Sequence, residues 1–116
     1  MLKEKYPGVN FTGRVAPEVV LELLSSSKFF ISNSVIEELP YTLIEAMAHG
    51  AVLIVSNVEG HKDLIIDGKN GFLYNKKIDL VNSVFKSQLI SSSDYNQMKK
   101  SAQKTIVNLS KFAKKY

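Results

Sequence analysis

The sequence contains no cysteine and no tryptophan, and it has only three prolines and one arginine among 116 residues. Without cysteine the chain can form neither a disulfide nor a thiolate metal site, and its composition fits a reducing compartment. Two histidines are too few to suggest a zinc centre. No apolar run reaches the roughly 18 residues that span a bilayer, and the N-terminal residues lack the apolar segment of a secretory signal. We therefore expect a soluble cytoplasmic domain without a metal or cofactor.

The charge of the chain is unevenly distributed. The net charge is +4, but residues 93–116 alone contain six lysines and one acidic residue, and the remainder is slightly acidic. A solvated helix face is the simplest explanation. The alternative is a peripheral contact of this basic C-terminal helix with polyphosphate or with anionic lipid at the inner membrane face. Nucleic acid is not expected as a partner, because one arginine and no regularly interleaved aromatics make a poor readout surface.

Short apolar runs alternate with helical patterns along the chain. The runs are nearly continuous in apolar and β-branched residues, which is typical of parallel strands buried on both faces. The alternation predicts a single α/β domain with a parallel sheet. Four strands are predicted, at residues 9–15, 28–34, 51–57 and 71–74.

Helices are predicted between these strands and after the last of them. Pro17 suits the first position of a helix, where a missing N–H costs nothing. Gly50 is placed to end another helix in the left-handed conformation. The predicted helices cover residues 17–27, 40–49, the vicinity of 61–66, 77–90, and a last segment that starts from a cap at Ser93.

The segment SNSVIEELPYTLIEAMAHG, residues 32–50, contains three glutamates close to a predicted helix start. It follows a predicted strand, and ligands of open parallel sheets bind at the carboxyl ends of strands. The amides of a first helical turn are unpaired donors. The Cα atoms of Glu37 and Glu45 would be no more than about 12 Å apart at the helical rise. Two carboxylates at that spacing can bind hydroxyls at both ends of one polyhydroxylated ligand.

The same glutamates also have an explanation that needs no ligand. Acidic residues in the first turn of a helix complement the helix dipole, and this effect accounts for Glu37 and Glu38. It accounts less well for Glu45, because apolar residues surround that position. The residues alone leave both interpretations open.

The pattern E-x-x-P-x-x-x-x-E-A-M-A-x-G at residues 37–50 resembles the Glu-x7-Glu signature of retaining GT-B glycosyltransferases of the group 1, or family 4, type. The segments VNFTGRV, AVLIVSNVEG and DLIIDGKNGFLY are similar to flanking segments of that family, in the same order and spacing. The likeness covers about residues 9–112. It implies an incomplete Rossmann-like C-terminal domain of the GT-B fold, which binds a sugar nucleotide as the donor substrate.

The resemblance also implies roles at the sugar end of that ligand. Glu37 would be the catalytic residue, and it would position and polarise the donor sugar. The main chain of Glu38, Leu39 and Pro40 would help to bind the sugar hydroxyls. The expected reaction transfers a hexose to a glycan or lipid acceptor with retained configuration and without a bound metal.

At the nucleotide end, the resemblance implies a second group of residues. Glu45 would hold the ribose diol, and Leu43 lies in the same helix beside it. Gly13 and Arg14 would lie near the base, mainly through their backbone.

Part of the family's two-domain fold has no counterpart in this sequence. The N-terminal acceptor domain and the first strands of the nucleotide domain are missing, and the glycine-rich turn and the basic pair that neutralises the diphosphate are missing with them. We therefore expect residues 1–116 to form a partial donor-binding domain that is inactive alone and pairs with an N-terminal half. The alternative is a non-catalytic remnant that binds a partner chain. A dinucleotide-binding dehydrogenase is not expected, since the sequence contains no Gly-x-Gly-x-x-Gly.

Overall fold

The computed structural model of the protein describes residues 2–32, 41–58 and 61–113. These residues form a parallel sheet with helices on both faces. None of the described helices is long and apolar enough to cross a membrane. In chain order the elements are α1 (Leu2–Lys5), α2 (Pro17–Ser26), β1 (Phe29–Ser32), α3 (Tyr41–Ala48), β2 (Val52–Ser56), α4 (His61–Leu64), β3 (Phe72–Tyr74), α5 (Lys77–Leu89) and α6 (Ser92–Ala113).

The sheet has the order β1-β2-β3, and both pairings are parallel. Phe29 lies opposite Val52, and Ile54 lies opposite Phe72. All five residues of the central strand β2 are buried, because helices cover both of its faces. This burial explains the uninterrupted apolar run from which the strand was predicted. Three of the four predicted strands are confirmed.

The strand predicted at residues 9–15 is wrong. These residues have no regular secondary structure, and Gly13 adopts a φ of 64°, which interrupts an extended backbone. A strand is stable only when a neighbour completes its hydrogen bonds, and within the described chain β1 pairs with β2 alone. The segment therefore has strand composition without a strand partner, and the side chain of Val9 is 54% exposed.

Two apolar clusters hold the helices against the two faces of the sheet. One joins α2, α3, α4 and the middle of α6 through residues such as Leu24, Met47 and Ala102. The other joins α5 and the start of α6 to the opposite face, through residues such as Phe72 and Met98. Helix α6 is 22 residues long, or about 33 Å. It is therefore long enough to contact both clusters.

Local residues explain several helix ends. Pro17 opens α2 as predicted. Gly50 follows α3 with a φ of 95°, and a Cβ there would lie 2.9 Å from Lys99 Cε, so both conformation and space favour glycine. The predicted cap at Ser93 is wrong. Ser91 Oγ accepts a hydrogen bond from the Asp94 amide at 3.0 Å, and the helix begins two residues earlier than predicted.

Two tyrosine hydroxyls bind the main chain at the two ends of β1. The Tyr74 hydroxyl donates to the Ser32 carbonyl at 3.1 Å, and the Tyr95 hydroxyl donates to the Lys28 carbonyl at 2.8 Å. Burial raises the pKa of both phenols, although a hydrogen bond with Ser56 partly opposes the rise in the pKa of Tyr74. Both hydroxyls can donate only while they are protonated.

These raised pKa values predict a loss of stability at alkaline pH. Below the ordinary tyrosine pKa of 10.0 both states are protonated and the contribution is complete. Above it the unfolded chain loses its protons first, so the free energy of unfolding should fall as pH rises. Urea unfolding at pH 8 and pH 11 measures this loss. The double variant Tyr74→Phe/Tyr95→Phe is the control. It lacks both phenols but keeps the lysines, so it measures the part of the stability loss that lysine titration causes. An equal loss in wild type and double variant would show that these phenols do not cause it.

Candidate functional site

Helix α3 presents Glu45 on its outer side. Leu43, Ala46 and Met47 have relative exposures of 2%, 0% and 0% and pack in the core, while the side chain of Glu45 is exposed. Spacings of three and four residues place the three apolar side chains on one face of a helix. Glu45 lies off that face. A carboxylate is therefore compatible with this apolar helix, because its side chain does not enter the core.

Glu45 lines a groove of about 530 Å³ that is otherwise apolar. Its walls come from three places in the chain: the segment after Gly13, the first turns of α2, and α3. A single charged group on a mostly apolar wall is a common arrangement in small-molecule sites, where the polar group fixes the orientation of the ligand. The remaining lining residues are Val15, Pro17, Val20 and Leu21.

The loop that contains Gly13 and Arg14 leads directly into this groove. Gly13 has a φ of 64°, and the Thr12 hydroxyl donates to the Gly13 carbonyl at 3.1 Å. Arg14 is exposed, and the partly buried Val15 lines the groove with Glu45. The structure thus brings together two regions that the sequence predicted to lie at the nucleotide. These two regions are about thirty residues apart along the chain.

The remaining predicted site residues are Leu43 and residues 37–40. The side chain of Leu43 is in the core, so any contact of this residue with a ligand must come from its main chain. Glu37, Glu38, Leu39 and Pro40 lie outside the described residues.

His49 forms hydrogen bonds with the main-chain carbonyl of Glu45 at the end of α3. The His49 amide donates to the Glu45 carbonyl at 3.0 Å, and His49 Nδ1 lies 2.8 Å from the same oxygen. A carbonyl can only accept, so Nδ1 carries the ring proton in this contact. The imidazole therefore lies against the last turn of α3 and gives the Glu45 carbonyl a second hydrogen bond.

A polar cluster lies at the carboxyl ends of all three strands. Ser32, Ser56 and Tyr74 are the last residues of β1, β2 and β3. Ser32 and Tyr74 are linked by the phenol hydrogen bond, and His61 Nδ1 lies 2.8 Å from the Ser56 carbonyl. His61 is fully buried, and its Nε2 atom has no hydrogen-bond partner. The cluster fixes the start of α4 against the sheet, at the edge where open α/β sheets bind ligands.

The sequence-based prediction missed the apolar walls of the groove and the polar cluster. Val20 and Leu21 look like ordinary helix residues in the sequence, and only the packing of α2 beside α3 brings them to Glu45. The position of Ser56 and Tyr74 at two strand ends was a usable signal, because the carboxyl ends of parallel strands share one edge. Among the described residues no group of three or more His, Asp or Glu side chains could hold a metal ion.

Comparison with proteins of known fold supports the predicted architecture. The chain superposes on crystal structures of Alr3699/HepE from Anabaena, in complex with UDP-glucose or with UDP and glucose, with TM-scores of 0.77. Sequence identity is 20% and 18%, and the match covers 92% of this chain and 31% of HepE. The likeness confirms the Rossmann-like parallel α/β fold, which is incomplete here.

Sequence comparison gives the family. An uncharacterized glycosyltransferase of Methanocaldococcus jannaschii, MJ1069, is 34% identical over 67 residues, which are 57% of this chain and 17% of that protein. The chain thus spans less than a third of the length of these relatives. The family model for glycosyl transferases group 1 matches residues 3–105. That match covers most of the chain, which belongs to the group 1 glycosyltransferase family and corresponds to its C-terminal part.

Proposed function

We propose that this chain is the sugar-nucleotide-binding part of a retaining glycosyltransferase that transfers a hexose to a glycan or lipid acceptor. The observation that carries the proposal is the exposed carboxylate of Glu45 on the wall of an apolar groove, beside the loop of Gly13 and Val15. Family membership and the UDP-glucose complex of the similar HepE structure support the same ligand class.

In this proposal each end of the ligand has its own residues. Glu45 accepts hydrogen bonds from both hydroxyls of the ribose, and charge-assisted bonds of this kind are strong. The backbone around Gly13 and Arg14 contacts the base. Glu37 binds and polarises the hexose, and the main chain of residues 38–40 assists it. The protein contributes to catalysis by electrostatic preorganisation, since its fixed groups stabilise the departing nucleoside diphosphate.

The proposal includes a second component that supplies the acceptor site. The chain alone is then a donor-binding unit without turnover, and it acts in the cytoplasm with the remainder of a glycosyltransferase. Incubating the pure chain with UDP-glucose should give neither hydrolysis nor transfer. Turnover that disappears in Glu37→Ala would contradict this part of the proposal.

Removing the charge of Glu45 should weaken nucleotide binding. We expect Glu45→Gln to raise the dissociation constant for UDP about tenfold, because the amide is neutral and has one acceptor oxygen where the carboxylate has two charged ones. Isothermal titration calorimetry with UDP, and with GDP and ADP for the base, measures the effect. Glu22→Gln is the matched control, since Glu22 is an exposed glutamate of α2 that does not line the groove. Equal affinity of the two variants would refute the role of Glu45.

A second function, as an interaction module, has one observation in its favour. Within the described residues β1 has β2 as its one neighbouring strand, and Ile31 on β1 is 50% exposed. An open strand edge is a template for pairing with another chain. This alternative predicts self-association, or binding to an N-terminal half, without affinity for UDP. Sedimentation velocity combined with the UDP titration separates the two functions.

The basic C-terminal helix is the third part of the proposal. Lys100 and Lys104 of α6 are exposed, and we propose that they attract the chain to anionic lipid at the inner membrane face. Such attraction falls as the ionic strength rises.

A further inference from the structure

Helix α5 carries both polar and apolar side chains on the face that packs against the sheet. Leu80 and Val84 pack against the cluster around Phe72, but Ser83 and Ser87 beside them are also buried, with exposures of 9% and 1%. The Ser87 hydroxyl is satisfied within the helix, because it donates to the Val84 carbonyl at 2.6 Å. Two of the four inward positions are therefore small and polar.

Four large apolar side chains lie together on the outward face of the same helix. Ile78, Val81, Phe85 and Leu89 have exposures of 64%, 48%, 65% and 84%. At about 100° per residue these four positions fall within an arc of about 80° on the side opposite the serines. We call them the α5 stripe. Contiguous exposed apolar surface of this kind marks an interaction site, whereas single exposed apolar residues need no explanation.

One end of the stripe borders a groove of mixed lining. Phe85 and Leu89 line this groove, which lies between α5 and β3 and has a volume of about 750 Å³. Phe72 and Leu73 add apolar side chains to it, and its polar side chains include Asp67 and Asp79. It is separate from the groove at Glu45, with which it shares no lining residue.

One lysine lies beside the stripe, and another immediately precedes the helix. Lys76 at the start of the helix and Lys86 on its side are exposed. The acidic residue of α5, Asp79, lies at the start of the helix. Its carboxylate accepts a hydrogen bond from the Lys76 amide at 3.2 Å. An apolar stripe with lysines beside it is typical of helices that lie in the plane of an anionic membrane surface.

A second copy of the chain fits this stripe less well. Helix α5 has 13 residues, so it is only about 20 Å long and about 10 Å wide. Such a face buries a few hundred Å² per copy, whereas stable interfaces bury about 800 Å² per partner. A bilayer surface needs no matching shape, and partial insertion of four side chains is sufficient for contact.

We propose that the α5 stripe inserts into the surface of an anionic membrane, with the helix parallel to the bilayer plane. Lys76 and Lys86 contact lipid phosphates while Phe85 and Leu89 enter the boundary between headgroups and acyl chains. This inference does not depend on sugar-nucleotide binding. It gives the chain a second surface, distinct from the lysines of α6, that holds the protein at a lipid.

Vesicle flotation with the full chain tests the inference. Wild type should bind vesicles of phosphatidylglycerol and phosphatidylcholine, and Phe85→Ser/Leu89→Ser should reduce the partition coefficient about tenfold. The matched control is Val107→Ser/Leu109→Ser on α6, which removes two apolar side chains that are 50% and 43% exposed. Thermal unfolding of both variants should be close to wild type, because the four side chains are on the surface.

Three outcomes would overturn the inference. Wild type could fail to bind the anionic vesicles, or both double variants could bind as well as wild type. Alternatively, sedimentation velocity could show a wild-type dimer that Phe85→Ser/Leu89→Ser abolishes, which would assign the stripe to a second copy. A UDP titration of the same samples keeps the two proposals apart, since the stripe variant should keep its nucleotide affinity.

Discussion

Replacing Asn70 with alanine is expected to lower the free energy of unfolding by about 3 kcal/mol. Its side chain is 3% exposed and makes three hydrogen bonds. The Ile66 amide donates to its carbonyl oxygen at 2.7 Å, and its own amide donates to the Leu64 carbonyl and to Thr105 Oγ1, both at 3.1 Å. Alanine leaves the first two main-chain groups without these partners, and about 1 kcal/mol per lost bond gives the total.

Chemical denaturation monitored by circular dichroism measures this effect. Asn75→Ala is the matched control, because Asn75 accepts one hydrogen bond from Asn57 at 3.0 Å and is exposed. That variant should change the stability by no more than about 0.5 kcal/mol. If Asn70→Ala unfolds at the same denaturant concentration as Asn75→Ala, the three bonds contribute nothing to stability.

The Asn70 network also illustrates what the sequence could not predict. Residues 67–71 have the sequence DGKNG, which is rich in turn-forming residues, and the structure has a turn there, with Gly68 at a φ of 80°. One of the three hydrogen-bond partners of Asn70 is Thr105, which is 35 residues away on α6. Turn chemistry is local and can be predicted from neighbours. A hydrogen bond to another element depends on tertiary packing.

The strands show the same distinction. The apolar runs around β1, β2 and β3 predicted strands because helices bury both faces of the sheet, so burial is visible as continuous hydrophobicity. Residues 9–15 have a similar composition but no neighbouring strand, and composition does not specify a neighbour. The prediction of the start of α6 was wrong for another reason. Ser91 and Ser93 are equally good caps by residue type, and only the backbone geometry selects Ser91.

The candidate site was predictable in part. The spacing of Leu43, Ala46 and Met47 defines the inner face of α3, so the outward position of Glu45 follows from helical periodicity. The apolar wall that α2 contributes to the groove does not follow from any periodicity. It depends on the tertiary packing that places α2 beside α3. The side chain of Leu43 belongs to the same inner face, and its position in the core could have been inferred in the same way.

Helix α3 depends on Met47, and Met47→Ala is expected to lower the free energy of unfolding by about 3 kcal/mol. Met47 is completely buried in the cluster that includes Leu24, Leu53 and Ala102. Alanine removes three heavy atoms from the side chain and leaves a cavity between α3, α6 and the sheet. The neighbours are on rigid elements that cannot close around it, so both the transfer term and the cavity term contribute.

The control for this prediction is Met47→Leu, which nearly preserves side-chain volume and should cost less than about 1.5 kcal/mol. Unfolding by urea with and without saturating UDP gives stability and ligand linkage in one experiment. Because Glu45 is carried by the same helix, the remaining folded Met47→Ala protein should also bind UDP more weakly, whereas Met47→Leu should not. Equal stabilities of the two variants would mean that α3 is held to the sheet by its other buried residues, and that Met47 has no special part in presenting Glu45 to the groove.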